Sequence, residues 1–202
     1  DRYCYSNTTP EPQLLQELAV ETRRDFVDAE MLTGRVEGRF LKMLAGLCGA
    51  RTALDVGMYT GYSALSVAEA LPEGGTVHTC EINEDVRAVA RRYFDKSPHG
   101  KKIVIHMGPA LETIQSLDVI LDFVFLDADK HDLPEYYERV IEKLRPGGMV
   151  IIDNALRGGA VLGPRDDSDR AIIRVNKIVT EDLRVENVLL PVRDGMQIAR
   201  KI

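Results

Sequence analysis

Between residues 52 and 153 the chain alternates five short runs rich in Val, Ile, Leu and Phe with segments of helical periodicity. The runs are TALDVGM (52–58), a second at 75–81, KIVIHM ending at Met107, LDFVFLD ending at Asp127, and PGGMVIID ending at Asp153. Helices are predicted between them, from the segment after YTGYS to Leu71 and then over 84–94, 110–117 and 133–144. Strands apolar along their whole length suit a sheet covered on both faces. Right-handed crossovers then leave a doubly wound α/β sandwich as the economical fold.

Outside this block the pattern changes. Helices are predicted over 10–20 and 36–47, ahead of a core sheet that begins at about residue 51, with Met31, Leu32 and Gly34 in the connection. After a predicted helix at 169–180, RVENVLLPV and GMQIARKI flank Arg193-Asp194-Gly195, which reads as a terminal hairpin because a short Asp-Gly turn joins them. With 202 residues, residues 1–202 read as one domain with a single core. The net charge of -6 arises from 26 basic and 32 acidic side chains in no long block, which gives no footprint for nucleic acid. No apolar run approaches the roughly 20 residues of a membrane span. Cys4, Cys48 and Cys80 lack paired metal-finger spacing and read as reduced cysteines of a cytoplasmic protein.

The first strand runs into Asp55-Val56-Gly57-Met58-Tyr59-Thr60-Gly61-Tyr62-Ser63. Glycine after a strand lets backbone approach a ligand, and the helix that follows offers free N–H groups. No Gly-Lys-Ser/Thr follows, so this is not a phosphate-binding Walker loop. Nor is it a dinucleotide fingerprint, since Tyr59 and Tyr62 stand where its second and third glycines would fall. A tight turn with no ligand is the competing reading. Glu81 closes the second strand, where a carboxylate can accept a ribose hydroxyl pair or merely cap a helix. Gly57 and Glu81 in that order favour a nucleoside-shaped site without separating S-adenosylmethionine from a nicotinamide cofactor.

Asp127 ends strand four, and Asp153 and Asn154 end strand five. Adjacent parallel strands bring these oxygens to one edge of the sheet, where carboxylate and carboxamide ligands suit a hard cation such as Mg²⁺. Capping of the next segment is the plainer alternative. Lys130 is a poor helix-start residue, because a cation there faces the positive end of the helix. It reads instead as a base for a substrate hydroxyl, whereas His131 reads equally as an exposed neighbour.

The segments LDVGMYTGYSALSVAEALP, Glu81, GPALETI, FLDADK, YYERVIEKLRPGGMVIIDN and DGMQIARKI together resemble the cation-dependent O-methyltransferases of the caffeoyl-coenzyme A and catechol type, over nearly the whole chain. The resemblance implies a Rossmann-like, seven-stranded sheet whose last strand is antiparallel. It implies S-adenosylmethionine as cofactor, with Gly57, Tyr59 and Ser63 near its methionine portion and Glu81 on the ribose. Gly108, Pro109 and Ala110 would adjoin the adenine, with Asp127 at the border of the cofactor and metal sites. Asp127, Asp153 and Asn154 would hold Mg²⁺, Mn²⁺ or Ca²⁺, and Lys130 would act as base. Glu37, within LTGRVEGRF, matches a glutamate of that family.

The implied acceptor is a small catechol-like or vicinally hydroxylated aromatic compound, and the implied assembly is a homodimer. Leu32, Arg35, Leu156 and Arg157 are expected to shape acceptor choice, with 154–167 as a substrate rim. An NAD-linked oxidoreductase and a noncatalytic metabolite sensor are the alternatives. The first leaves Asp127, Asp153 and Asn154 without a task.

Overall fold

A computed structural model describes residues 2–202. Seven strands form one sheet: β1 (Thr52–Val56), β2 (Thr76–Glu81), β3 (Ile103–Met107), β4 (Leu121–Leu126), β5 (Leu144–Ile152), β6 (Val185–Leu190) and β7 (Met196–Lys201), in the order β3-β2-β1-β4-β5-β7-β6. The first five run parallel. β7 enters between β5 and β6, antiparallel to both, so it alone runs against the others, as predicted. The helices are α1 (Arg2–Ser6), α2 (Gln13–Asp25), α3 (Arg35–Leu47), α4 (Tyr62–Ala68), α5 (Glu84–Lys96), α6 (Ala110–Ser116), α7 (Leu133–Lys143) and α8 (Asp167–Glu181).

The central strands show why the sheet must be covered twice. Along β4, Phe123 and Phe125 enter one core cluster and Val124 and Leu126 the other, and all four are inaccessible to solvent. Alternate side chains of a strand point to opposite faces, so an all-apolar strand is stable only between two layers. The Phe face packs against Leu15 and Leu18 of α2, Leu41 of α3, Tyr62 and Leu65 of α4, and Phe94 of α5. The Val/Leu face packs against Ile114 of α6, Tyr137 and Val140 of α7, and Ile172 and Val175 of α8.

Predicted and observed boundaries differ where backbone chemistry intervenes. The first helix was expected from residue 10, but Pro12 is extended with φ -53° and ψ 151°, and α2 starts at Gln13. The first strand was expected to reach Met58, yet β1 ends at Val56 because Gly57 takes φ 105°. α1 was not anticipated. Among the described residues no helix is long and apolar enough to cross a membrane.

The sheet order reverses between β1 and β4, the place where open α/β sheets leave a crevice at their carboxyl ends. Phe125 lies at the centre of that junction with no exposed surface. Phe125→Ala should lower unfolding free energy by about 3–5 kcal/mol in denaturant titrations, the range for emptying a buried aromatic site.

Candidate active site

One cavity of about 780 Å³ opens at the carboxyl ends of β1, β2, β4 and β5. Gly57, Tyr59, Glu81, Gly108, Pro109, Ala110, Asp127, Lys130, Asp153 and Asn154 all line it, so the structure gathers every predicted site residue except Ser63. Ser63 is buried in α4.

At the β1 end, the chain turns directly under the β4 terminus. A side chain at Gly57 would collide with the Asp127 carbonyl, so only glycine permits this approach. Gly57 and Met58 donate their N–H groups to the Cys80 carbonyl at 3.2 and 3.0 Å. Tyr59, with φ 48°, donates its N–H to Glu81 Oε2 at 2.7 Å. Glu81 Oε1 accepts from Ile82 and Asn83 at 2.8 and 2.9 Å. Glu81 is thus both the cap of its own turn and a wall of the cavity. The Gly108 N–H reaches the Glu81 carbonyl at 2.9 Å, which sets the Gly108-Pro109-Ala110 corner beside it.

Beneath this turn lies a carboxylate not singled out as a site residue from the sequence. Asp55 is fully buried; its Oδ2 accepts from Thr79 Oγ1 at 2.6 Å and its Oδ1 has no partner. Burial pushes its pKa up to about 7, with the hydrogen bond from Thr79 opposing.

At the β4 and β5 ends, the ladder continues past the strands. Asp127 donates its N–H to Val56 O at 2.8 Å, and Asp153 donates its own to Leu126 O at 3.0 Å. Lys130 Nζ donates to Asp127 Oδ1 at 3.1 Å. Burial pushes Asp127 up to about 6; Lys130 opposes that shift and the charge of Asp153 adds to it. Asp153 is 3% exposed, and its Oδ1 has no hydrogen-bond partner. Among the described residues no group of three or more His, Cys, Asp or Glu is arranged to hold a metal. The set at this end comprises two carboxylates and one carboxamide.

Arg193 also lines the cavity, from the β6–β7 turn. Its Nη1 donates to the Glu37 carboxylate and to the Thr33 and Leu32 carbonyls at 2.6 and 3.4 Å. Glu37 is 1% exposed, and burial pushes it up to about 9, reinforced by Asp153 and opposed by Arg193. On the rim, Arg157 faces Asp169 at 3.4 Å. Arg35 does not reach the cavity, contrary to expectation. It binds Glu11 and stacks on Tyr5 at 3.8 Å from the ring centroid. Leu32 and Leu156 also stand outside the lining, Leu32 being 5% exposed within the core.

A doubly wound sheet carrying a glycine turn, an acid at the next strand end and a carboxylate pair across the switch point marks a nucleoside-binding α/β fold. The model of a family described as O-methyltransferase matches residues 5–202. Caffeoyl-CoA O-methyltransferase 2 of Zea mays is 37% identical over 206 aligned positions, covering 95% of this chain and 78% of the relative. Among solved structures, the O-methyltransferase TomG of Streptomyces achromogenes, in complex with SAM, superposes with a TM-score of 0.91 at 29% identity, covering 100% of this chain and 95% of that one. The SAH-bound methyltransferase PaMTH1 of Podospora anserina gives 0.91 at 28% identity, covering 100% and 93%. The chain belongs to the O-methyltransferase family of S-adenosylmethionine-dependent enzymes.

Two outcomes follow from this geometry. Because the folded-state pKa of Asp55 is raised from 3.8 to about 7, the folded protein holds a proton there that the unfolded chain has released. Its contribution to stability therefore falls as pH rises from about 4 to about 7. Asp55→Asn should flatten that slope in denaturant titrations run across this range. Gly57→Ala should displace the Asp127 backbone and weaken S-adenosylhomocysteine binding at least about 10-fold by calorimetry, while a cooperative melt is retained.

Proposed function

We propose that this enzyme transfers the methyl group of S-adenosylmethionine to one hydroxyl of a small catechol-like aromatic acceptor, assisted by a divalent cation. The observation that carries the reading is the buried, unpartnered Asp153 Oδ1, in the same cavity as Asp127, Asn154 and Lys130. A buried carboxylate oxygen without a donor is costly, and a cation is the partner its charge calls for. Asp127, Asp153 and Asn154 would hold it, and an all-oxygen donor set suits Mg²⁺, Mn²⁺ or Ca²⁺. When bound, such a cation lowers the pKa of a nearby hydroxyl and stabilises negative charge on its oxygen.

The protein's own groups supply the remaining functions. Glu81, oriented by three backbone donors, accepts the ribose hydroxyls of the cofactor. Gly57 and Tyr59 lead into the methionine portion, where Asp55 and Ser63 offer acceptors to its ammonium. The Gly108-Pro109-Ala110 corner borders the adenine. Lys130, oriented by Asp127, would take the acceptor hydroxyl's proton on Nζ in its neutral amine form. The resulting oxygen attacks the methyl carbon in line as the sulfur–carbon bond breaks, which leaves S-adenosylhomocysteine. Holding the two reactants at near-attack distance lowers the barrier without a covalent enzyme intermediate.

The aromatic acceptor is supported by the likeness to the caffeoyl-CoA O-methyltransferases and by Met31, Tyr59 and Tyr136 in the cavity wall. The family match favours methyl transfer over the nicotinamide alternative. Exposed Val20 on α2 and Met43 and Leu47 on α3 offer apolar area to a second copy, in line with a homodimer.

The decisive experiment follows label from isotopic S-adenosylmethionine into catechols, hydroxycinnamoyl thioesters and hydroxylated aromatic acids, with Mg²⁺ or with chelator. Label on one acceptor oxygen only when Mg²⁺ is present is the expected result. Equal transfer in chelator would remove the cation from the reading, and no labelled product even in a broad metabolite extract would favour a sensor. Lys130→Met should lower kcat by about 10²–10⁴-fold, the usual worth of a general base. Asp153→Ala should disrupt the metal site and abolish Mg²⁺-supported turnover; normal turnover of that variant without metal would sink the assignment.

A further inference from the structure

Among the described residues, the non-glycine positions with positive φ are Tyr59 (48°), Asn154 (56°), Arg157 (50°) and Arg193 (50°), and all of them line the cavity at the strand ends. A side chain in the left-handed region crowds its own backbone and persists only where surroundings impose it, and such residues gather at functional sites. Three belong to the cofactor turn, the predicted metal set and the rim. Arg193 comes from the far end of the chain, in a hairpin turn where glycine would adopt the same backbone without strain.

Its guanidinium explains its presence. The Nη1 group serves Glu37 and the carbonyls of Leu32 and Thr33, the segment that leads into α3. The same turn grips the end of β5 from the other side. Gly195 O accepts from Ala155 N at 2.9 Å, Asp194 O from Leu156 N at 2.8 Å, and Asp194 Oδ1 from Gly158 N at 2.5 Å. Asn154 and Arg157, both strained, thus lie in a segment bonded to a turn that is itself anchored on a buried glutamate. A lone turn could shift, but a turn held on both sides cannot move without breaking several bonds.

We propose that Arg193 is a positioning residue for methyl transfer, pinning the 193–195 turn to Glu37 and the 32–33 backbone so that Asn154 is held in its left-handed conformation beside Asp153. This rests on the metal-assisted reading above. Arg193 acts through the turn, as outer partners orient metal ligands in other sites. All of these contacts run through Nη1, so a lysine ammonium could keep some of them but not all the reach of the guanidinium.

The test compares the unsubstituted chain with Arg193→Gly, Arg193→Lys and Glu37→Gln, titrating Mn²⁺ alone by the electron paramagnetic resonance of the free aqua ion, with kcat, KM and melting measured alongside. Arg193→Gly relaxes the backbone, so a role confined to hairpin stability predicts unchanged Mn²⁺ binding and an equal or higher melting temperature. The positioning role predicts Mn²⁺ binding about 10-fold weaker. It also predicts kcat lowered at saturating acceptor, Arg193→Lys in between, and Glu37→Gln shifted in the same direction. Mn²⁺ binding and kcat within twofold of the unsubstituted chain in both Arg193 variants overturn the proposal. Should Arg193→Gly not fold, Arg193→Lys decides by the same readings. An unsubstituted chain that binds no Mn²⁺ overturns the metal reading and this inference together, a result distinct from variants that bind as the parent does.

Discussion

The structure depends on the contact of two backbones at the point where the sheet changes direction. Gly57 turns so close to the Asp127 carbonyl that a single added carbon would collide with it. The Asp127 N–H returns a hydrogen bond to Val56 O at 2.8 Å. This junction welds the cofactor half to the acceptor half of the cavity. Through it the ends of β1, β4 and β5 lie in register, so Asp127 and Asp153 stand side by side without any loop to place them. Strand-end residues held by a ladder are positioned more tightly than loop residues, which methyl transfer needs if its reactants are to meet in line.

The same junction concentrates negative charge where water is scarce. Asp55, Asp127 and Glu37 are all driven upward by burial, each aggravated by a neighbouring carboxylate. Lys130 answers Asp127, and Arg193 answers Glu37. Such an arrangement is poor for stability, because unpaired buried charge is penalised heavily. It suits a site that takes the sulfonium and ammonium of S-adenosylmethionine, and the divalent ion proposed above would add to them. Those ligands supply the missing charge, so binding and folding reinforce one another.

Much of this was legible in the sequence. Three of the five apolar runs ended in Glu81, Asp127 and Asp153, and parallel order alone brought these and Gly57 to one edge. Lys130 stood out because a cation at a helix start opposes the dipole. What stayed hidden had no local signature. Asp55 reads as one letter of a strand, and nothing in LDVGM announces an oxygen with no donor. Arg35 looks like a rim residue until Glu11 and Tyr5 claim it. Arg193 sits in a turn whose Asp-Gly pair already accounts for the hairpin, so its reach to Glu37 appears only in three dimensions. α1 is a short helix of five residues with no buried face, and periodicity cannot register it.

The bond between Glu37 and Arg193 joins residues 156 positions apart. Contacts of such separation form late, since the entropy of closing so long a loop is recovered only when the intervening chain has already collapsed. During synthesis, β1 to β5 can assemble while the last strands are still within the ribosome. β7 must then slot against β5 with β6 outside it, antiparallel to both. The side of the cavity that Arg193 lines is therefore completed after the strands it closes against. A chain halted before its hairpin would carry the glycine turn and both strand-end aspartates yet lack the turn that grips the segment after β5.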